Sequence, residues 1–256
     1  MQNTTKTIDC HCHIQDEKYK NNFCKFAEEL KQKCLFVIVS GANKKWNREA
    51  IELSKKYPKL IYSTIGIHPI DATKMTENDF EDELKFIQNN KKNIVGIGEI
   101  GLDYHWEKDK KIQELQKRRF EQLLCLAIKI KKPVVIHSWD AEEDAINILK
   151  KYNLKNTIKH CFSGKRVEMQ KAISLGYYIS FSTNVLFSKQ LRKLAKNCPI
   201  ENMLIETDAP YMDPNHTGKN MPWNTYLSIK KIAEFKKLSP EFLLNKIIEN
   251  AKKIFF

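Results

Sequence analysis

The chain has 256 residues, of which 42% are hydrophobic, and it carries a formal net charge of +13 at pH 7. This length suits one large α/β domain, and we expect residues 1–256 to form a single domain. No apolar run reaches about eighteen residues, which excludes a membrane span, and the first residues lack the apolar segment of a secretory signal.

Charge and cysteine usage bear on the compartment and on the partners of the protein. The positive charge fits attraction to a polyanion such as nucleic acid. It fits equally a chain enriched in lysine throughout, because lysines occur on nearly every predicted helix without one dominant basic block. The seven cysteines are scattered and form no CxxC pair, which favours reduced thiols in a cytoplasmic protein.

Short apolar runs alternate with longer amphipathic stretches along the chain. The runs predict eight strands, over Thr7–Ile14, Leu35–Ser40, Leu60–Gly66, Ile94–Ile100, Pro133–His137, Thr157–Cys161, Tyr177–Ser182 and Met203–Glu206. The stretches predict helices over Tyr19–Lys33, Asn43–Tyr57, Glu77–Lys91, Ile112–Lys131, Ala141–Tyr152, Lys165–Leu175, Ser188–Asn197 and Pro222–Lys237, and one more after Ser239.

Strand alternating with helix eight times predicts an α/β fold of the (β/α)8 TIM-barrel type, because parallel strands need crossover helices. An open, doubly wound sheet is the competing architecture. It is disfavoured because no GxGxxG follows the first strand and because polar residues end six of the eight strands.

The first predicted strand carries Asp9, His11 and His13 at alternate positions, so these three side chains face one side. Two imidazoles at this spacing can share one metal ion, although His-x-His alone is a weak signal. Cys10 and Cys12 point to the other face, where we expect them to pack against the outer helices.

The fourth predicted strand contains Glu99 in an otherwise apolar run. A buried carboxylate is costly without a partner or a metal, and its two oxygens can bridge two ions. Asp103 follows in the loop, where we expect it to order the loop through a hydrogen bond.

Four further polar side chains end predicted strands: His68, His137, His160 and Asp208. Each histidine is either a polar cap or a functional group, and an aspartate in this place can bind a metal or take a proton from its water. Since strand ends of one barrel open on one mouth, four histidines, a glutamate and an aspartate would converge there. That number exceeds one tetrahedral site, so two metal ions sharing a carboxylate is the economical arrangement. We treat His105 and His216 as ordinary loop histidines.

An ordered set of motifs resembles the TatD family of metal-dependent deoxyribonucleases, within the amidohydrolase superfamily, over essentially the whole chain. The motifs are Asp9–His13, Gly66–Pro69, Gly98–Tyr104, Pro133–His137 with Asp140-Ala141, His160–Gly164, Glu206–Tyr211 and the closing Asn250–Phe255.

The resemblance implies six metal ligands, His11, His13, Glu99, His137, His160 and Asp208. Glu99 would serve two divalent ions, one shared with the first-strand histidines and Asp208, the other with the remaining histidines. His68 would contact the scissile phosphate or the attacking water, while Asp208 would orient that water and accept its proton. The implied reaction is hydrolysis of DNA, from the 3′ end of single strands. The ions are Zn²⁺, Mg²⁺ or Mn²⁺, since a mixed nitrogen and oxygen site accepts all of them.

The chain departs from the family pattern near the expected phosphate site. Trp139 stands where the family usually has arginine, and it could either stack on a base or simply pack. The arginine that usually neighbours Asn220 is also absent; Lys219 could substitute for it, without the bidentate fork.

These departures keep a second enzyme class open, the hydrolysis of an ester or amide bond, such as removal of D-amino acids from tRNA. A non-enzymatic binding role is disfavoured, because six converging buried polar groups are costly to bury unpaired. We expect DNA as the substrate partner and no obligate protein partner.

Overall fold

A computed structural model describes residues 5–256 and contains one sheet of eight parallel strands in chain order. The strands are β1 Thr7–Cys12, β2 Cys34–Ser40, β3 Ile61–Ile65, β4 Gly96–Asp103, β5 Val134–Trp139, β6 Thr157–Lys159, β7 Tyr178–Phe181 and β8 Met203–Ile205. The amide of Asp208 donates to the carbonyl of His11 (3.0 Å), and the amide of His13 donates to the carbonyl of Ala209 (2.6 Å). These bonds join the chain after β8 to β1, so the ring is nearly closed and the predicted TIM barrel is confirmed.

Helices connect consecutive strands and cover the outside of the barrel. They are α1 Glu17–Lys20, α2 Phe23–Lys33, α3 Lys44–Lys56, α4 Pro69–Lys74, α5 Glu77–Asn89, α6 Lys110–Ile130, α7 Glu142–Lys151, α8 Arg166–Ser174, α9 Lys189–Asn197, α10 Thr225–Lys236 and α11 Pro240–Phe255. Within residues 5–256, none of these helices is both long and apolar enough to cross a membrane.

The apolar strands form the core because helices cover their outer faces while the barrel encloses their inner faces. Every residue of β1 and of β4 is buried, which explains why these segments are so rich in apolar and small residues. Cys10 and Cys12 are 2% and 0% exposed and belong to the hydrophobic core. Their prediction as packed thiols is confirmed.

The helices of the structure differ from the predicted ones in two places. The prediction of a single helix over Tyr19–Lys33 is wrong. α1 and α2 are separate helices, and Asn22 between them has a left-handed backbone with φ 64°. The short α4 was not predicted. It begins directly after His68, whose Nδ1 accepts a hydrogen bond from the amide of Ile70 at 3.3 Å, and Pro69 occupies the first helical position.

Candidate metal centre

The seven residues predicted to act together lie together at the carboxyl ends of the strands. They are His11, His13, His68, Glu99, His137, His160 and Asp208. Glu99 is in the middle, and its two carboxylate oxygens point to different sets of histidines.

The first set surrounds Oε2 of Glu99. Nε2 of His11 lies 3.3 Å and Nε2 of His13 lies 3.5 Å from this oxygen, and the two nitrogens are 3.2 Å apart. Oδ1 of Asp208 lies 3.6 Å from His11 and 3.3 Å from His13. Two imidazoles and two carboxylates therefore converge on one small volume.

The second set surrounds Oε1 of Glu99. Nδ1 of His137 lies 3.1 Å away, Nε2 of His68 lies 3.4 Å away and Nε2 of His160 lies 3.7 Å away. Glu99 is 5% exposed, so this carboxylate depends on these neighbours to offset the cost of its burial.

Glu206, which was not predicted as a site residue, orients one of the histidines. Its Oε1 lies 3.0 Å from Nδ1 of His160 and accepts a hydrogen bond from the amide of Cys161 at 2.6 Å. A carboxylate contacting Nδ1 fixes a proton there, so Nε2 is the nitrogen that would bind a metal ion. Ser40, also missed, does the same for His13, because its carbonyl oxygen lies 2.8 Å from Nδ1.

Asp103 is the last residue of β4 and does not lie in the following loop as predicted, and it has two roles rather than one. Its Oδ1 accepts a hydrogen bond from the amide of Trp106 at 2.8 Å, which confirms that it orders the loop. Its Oδ2 also lies 3.0 Å from Nε2 of His137. The sequence did contain an indication of this second contact. Alternate residues of a strand face the same side, so Glu99 and Asp103, four positions apart along β4, are expected on one face.

The pKa values of the site depend on burial and on the charges of the neighbouring residues. Burial would raise the pKa of Asp208, but the hydrogen bond with His13 and the charge of His160 lower it to about 2. Burial and the charge of His137 lower the pKa of His68 to about 4. Although burial would lower the pKa of His160, the charges of Glu206 and Glu99 raise it well above its usual range. The carboxylates thus attract positive charge into the cluster, which a divalent cation would supply in place of protons.

The donor set fits divalent cations. Ligand atoms about 2.1 Å from a tetrahedral metal lie roughly 3.4 Å apart. The nitrogens of His11 and His13 lie 3.2 to 3.6 Å from each other and from the carboxylate oxygens of Glu99 and Asp208. The ligand atoms of Glu99, His137 and His160 likewise lie within 4.8 Å of one another.

The two residues that depart from the family pattern, Trp139 and Lys219, contact residues other than the predicted metal ligands. Trp139 is 39% exposed and stacks on His105. The amine of Lys219 donates to the carbonyl of Lys18 at 3.2 Å and lies 5.1 Å from the ring centre of Tyr19. Neither Trp139 nor Lys219 offers the metal cluster a pair of parallel N–H donors, as an arginine would.

Known proteins show which class of enzyme has this fold and site. Residues 8–256 match the family described as TatD-related DNase. The chain therefore belongs to the TatD family, whose members are metal-dependent hydrolases. Among curated relatives, it is 35% identical to the uncharacterized metal-dependent hydrolase YabD of Bacillus subtilis, over 97% of this chain and 98% of the relative. It is 28% identical to the human protein called deoxyribonuclease TATDN3, over 97% of this chain and 94% of the relative.

Solved structures show the same fold. The TatD homologue YjjV of Escherichia coli superposes with a TM-score of 0.90 at 24% identity, covering 97% of both chains. A TatD-family hydrolase of Entamoeba histolytica superposes with a TM-score of 0.88 at 24% identity, covering 99% of both chains.

Proposed function

We propose that residues 1–256 act as one metal-dependent deoxyribonuclease domain that hydrolyses phosphodiester bonds, from the 3′ end of single strands. The observation that carries this proposal is Glu99, whose two oxygens face two separate groups of ligands. We assign one ion to His11, His13, Glu99 and Asp208, and the second to Glu99, His137 and His160. Zn²⁺, Mg²⁺ and Mn²⁺ are the candidate ions.

Accessibility supports different roles for the members of the cluster. The side chains of His68 and Asp208 are 18% and 14% exposed, whereas that of His11 is 1% exposed. His68 can therefore contact the scissile phosphate or the attacking water. The carboxylate of Asp208 can orient that water and accept its proton. The bound ions would lower the pKa of the water and neutralise the phosphate.

DNA as the substrate is supported by the human relative, which is named a deoxyribonuclease, and by the net charge of +13. We place the protein in the cytoplasm, because all seven of its cysteines are free thiols and four of them are buried.

Hydrolysis of an ester or amide bond, such as that of a D-aminoacyl-tRNA, is the second candidate. Trp139 in place of arginine favours it, since the site lacks the bidentate group that suits phosphate. The same metal centre could activate water against a carbonyl carbon.

The two candidates separate in one assay. Metal-stripped protein is re-supplied with Mg²⁺, Mn²⁺ or Zn²⁺ and offered either end-labelled single-stranded DNA or a D-aminoacyl-tRNA. We expect stepwise shortening of the DNA from its 3′ end, abolished in Glu99→Ala and His137→Ala but retained in His216→Ala, an exposed loop histidine that serves as the control. Circular dichroism checks that each variant is folded. Release of the amino acid without shortening of DNA would favour the second candidate, and full nuclease activity of Glu99→Ala would exclude the two-metal site.

A further inference from the structure

Three aromatic side chains, His105, Trp106 and Trp139, form an aromatic cluster outside the metal ligands. The rings of His105 and Trp139 are stacked, with centres 3.9 Å apart and planes inclined by 7°. Trp106 stands edge-on to both, at 5.0 Å from His105 and 6.1 Å from Trp139. Trp106 is 70% exposed and Trp139 is 39% exposed, so much of this aromatic surface is in contact with water.

The aromatic cluster is attached directly to the metal centre. Asp103 accepts a hydrogen bond from the amide of Trp106 with one oxygen and contacts His137 with the other. Trp139 follows His137 by two residues at the end of β5. Nδ1 of His105 lies 3.2 Å from a carboxylate oxygen of Asp140, which holds this ring against Trp139. A strand bound with its phosphate at the metal centre would therefore have neighbouring nucleotides within reach of these rings.

The cavity next to Trp139 is suited to a base rather than to a phosphate. Trp139 lines a cavity of about 520 Å³ together with Ser163 and Gln190. Five carboxylates, among them Asp140 and Glu142, border the same cavity against one ammonium group, that of Lys165, so the cavity would repel a phosphate. Carboxylates and amides accept hydrogen bonds from the amino groups of bases, and an indole ring provides a face for stacking.

We propose that the aromatic cluster is a stacking surface for an unpaired nucleobase of the substrate strand. This inference rests on the proposed nuclease function and specifies its substrate class: single-stranded nucleic acid bound through a base as well as through its backbone. Stacking tolerates any sequence because every base has an aromatic face, whereas a paired base in a duplex has both faces covered. The surface therefore selects single strands over duplexes.

Binding without cleavage tests this proposal. Protein loaded with Mn²⁺ is titrated into fluorescein-labelled oligothymidine with phosphorothioate linkages, which resist hydrolysis, and, separately, into a phosphorothioate strand of equal length made of abasic analogues, and the anisotropy is followed. We expect the Trp106→Ala/Trp139→Ala double variant to bind oligothymidine roughly tenfold more weakly than the wild type and to bind the abasic strand equally well. Phe256→Ala is the control, because Phe256 is 59% exposed but contacts Tyr62 near the start of β3, at the opposite end of the barrel. Circular dichroism verifies the fold of each variant.

Three results would overturn the proposal: an equal loss of affinity for both strands, no loss for either strand, or no binding of oligothymidine by the wild type. An equal loss would mean that the aromatic cluster merely holds its loops in place. Because this experiment needs no catalysis, failure of the nuclease assay and failure of base stacking are observed independently.

Discussion

Glu206 shows how a single buried carboxylate controls a neighbouring histidine. It is fully buried, contacts Nδ1 of His160 and leaves its own Oε2 without a partner among the described residues. We predict that Glu206→Gln weakens metal binding by about 10- to 100-fold, because the imidazole loses the partner that fixes its proton and orientation. Titration of metal into stripped protein measures this change, with the exposed Glu201→Gln as the control. Unchanged affinity would assign Glu206 a purely structural role.

A functional residue can be predicted from the sequence when the feature that marks it lies in its own strand. Glu99 was predicted because a carboxylate inside an apolar run is costly wherever that strand is placed. Glu206 carries the same signal at the end of its own run, but its role arises from contact with His160, 46 residues away in the sequence. That contact depends on the alignment of β6, β7 and β8, which periodicity within one strand does not determine.

At the scale of elements, β4 and β5 approach closely where Gly101 faces His137. Gly101 has φ 145°, and a Cβ atom added there would lie 2.0 Å from the carbonyl oxygen of His137. We predict that Gly101→Ala lowers the free energy of unfolding by about 1–3 kcal/mol and also lowers turnover, because β5 must move to relieve the overlap. Thermal and chemical denaturation measure the stability.

Gly176→Ala is the control that distinguishes steric overlap with β5 from backbone strain. Gly176 also has a positive φ, 82°, but a Cβ atom there meets nothing within 4 Å. The control should therefore lose stability through strain alone and keep full turnover. Equal effects of the two substitutions on turnover would contradict a specific displacement of β5.

The elements themselves were largely predictable, and the exceptions have physical causes. The eight strands follow from apolar runs because most of their residues are buried, on both faces of the sheet. The separation of α1 from α2 was missed because it depends on the left-handed backbone of one residue, Asn22. The helix α4 has six residues, which is too short for a helical period to be visible in the sequence.

At the scale of the whole molecule, the net charge of +13 should govern how substrate affinity responds to salt. We predict that the dissociation constant for single-stranded DNA rises with salt, with a logarithmic slope of about 0.7 for each phosphate contacted. A small diester with a single phosphate should show a much weaker dependence. A salt-independent affinity for DNA would indicate that the excess lysines are spread over surfaces that never contact the strand.

Metal stoichiometry measured together with turnover tests the central claim most directly. Stripped protein is reconstituted with Mn²⁺, its bound metal is counted by mass spectrometry, and the same sample is assayed on end-labelled single-stranded DNA. We predict two ions per chain and cleavage for the wild type, and fewer than two ions with no cleavage for Glu99→Gln, because only the carboxylate can share its oxygens between both ions. Two bound ions and full cleavage in Glu99→Gln would contradict this account.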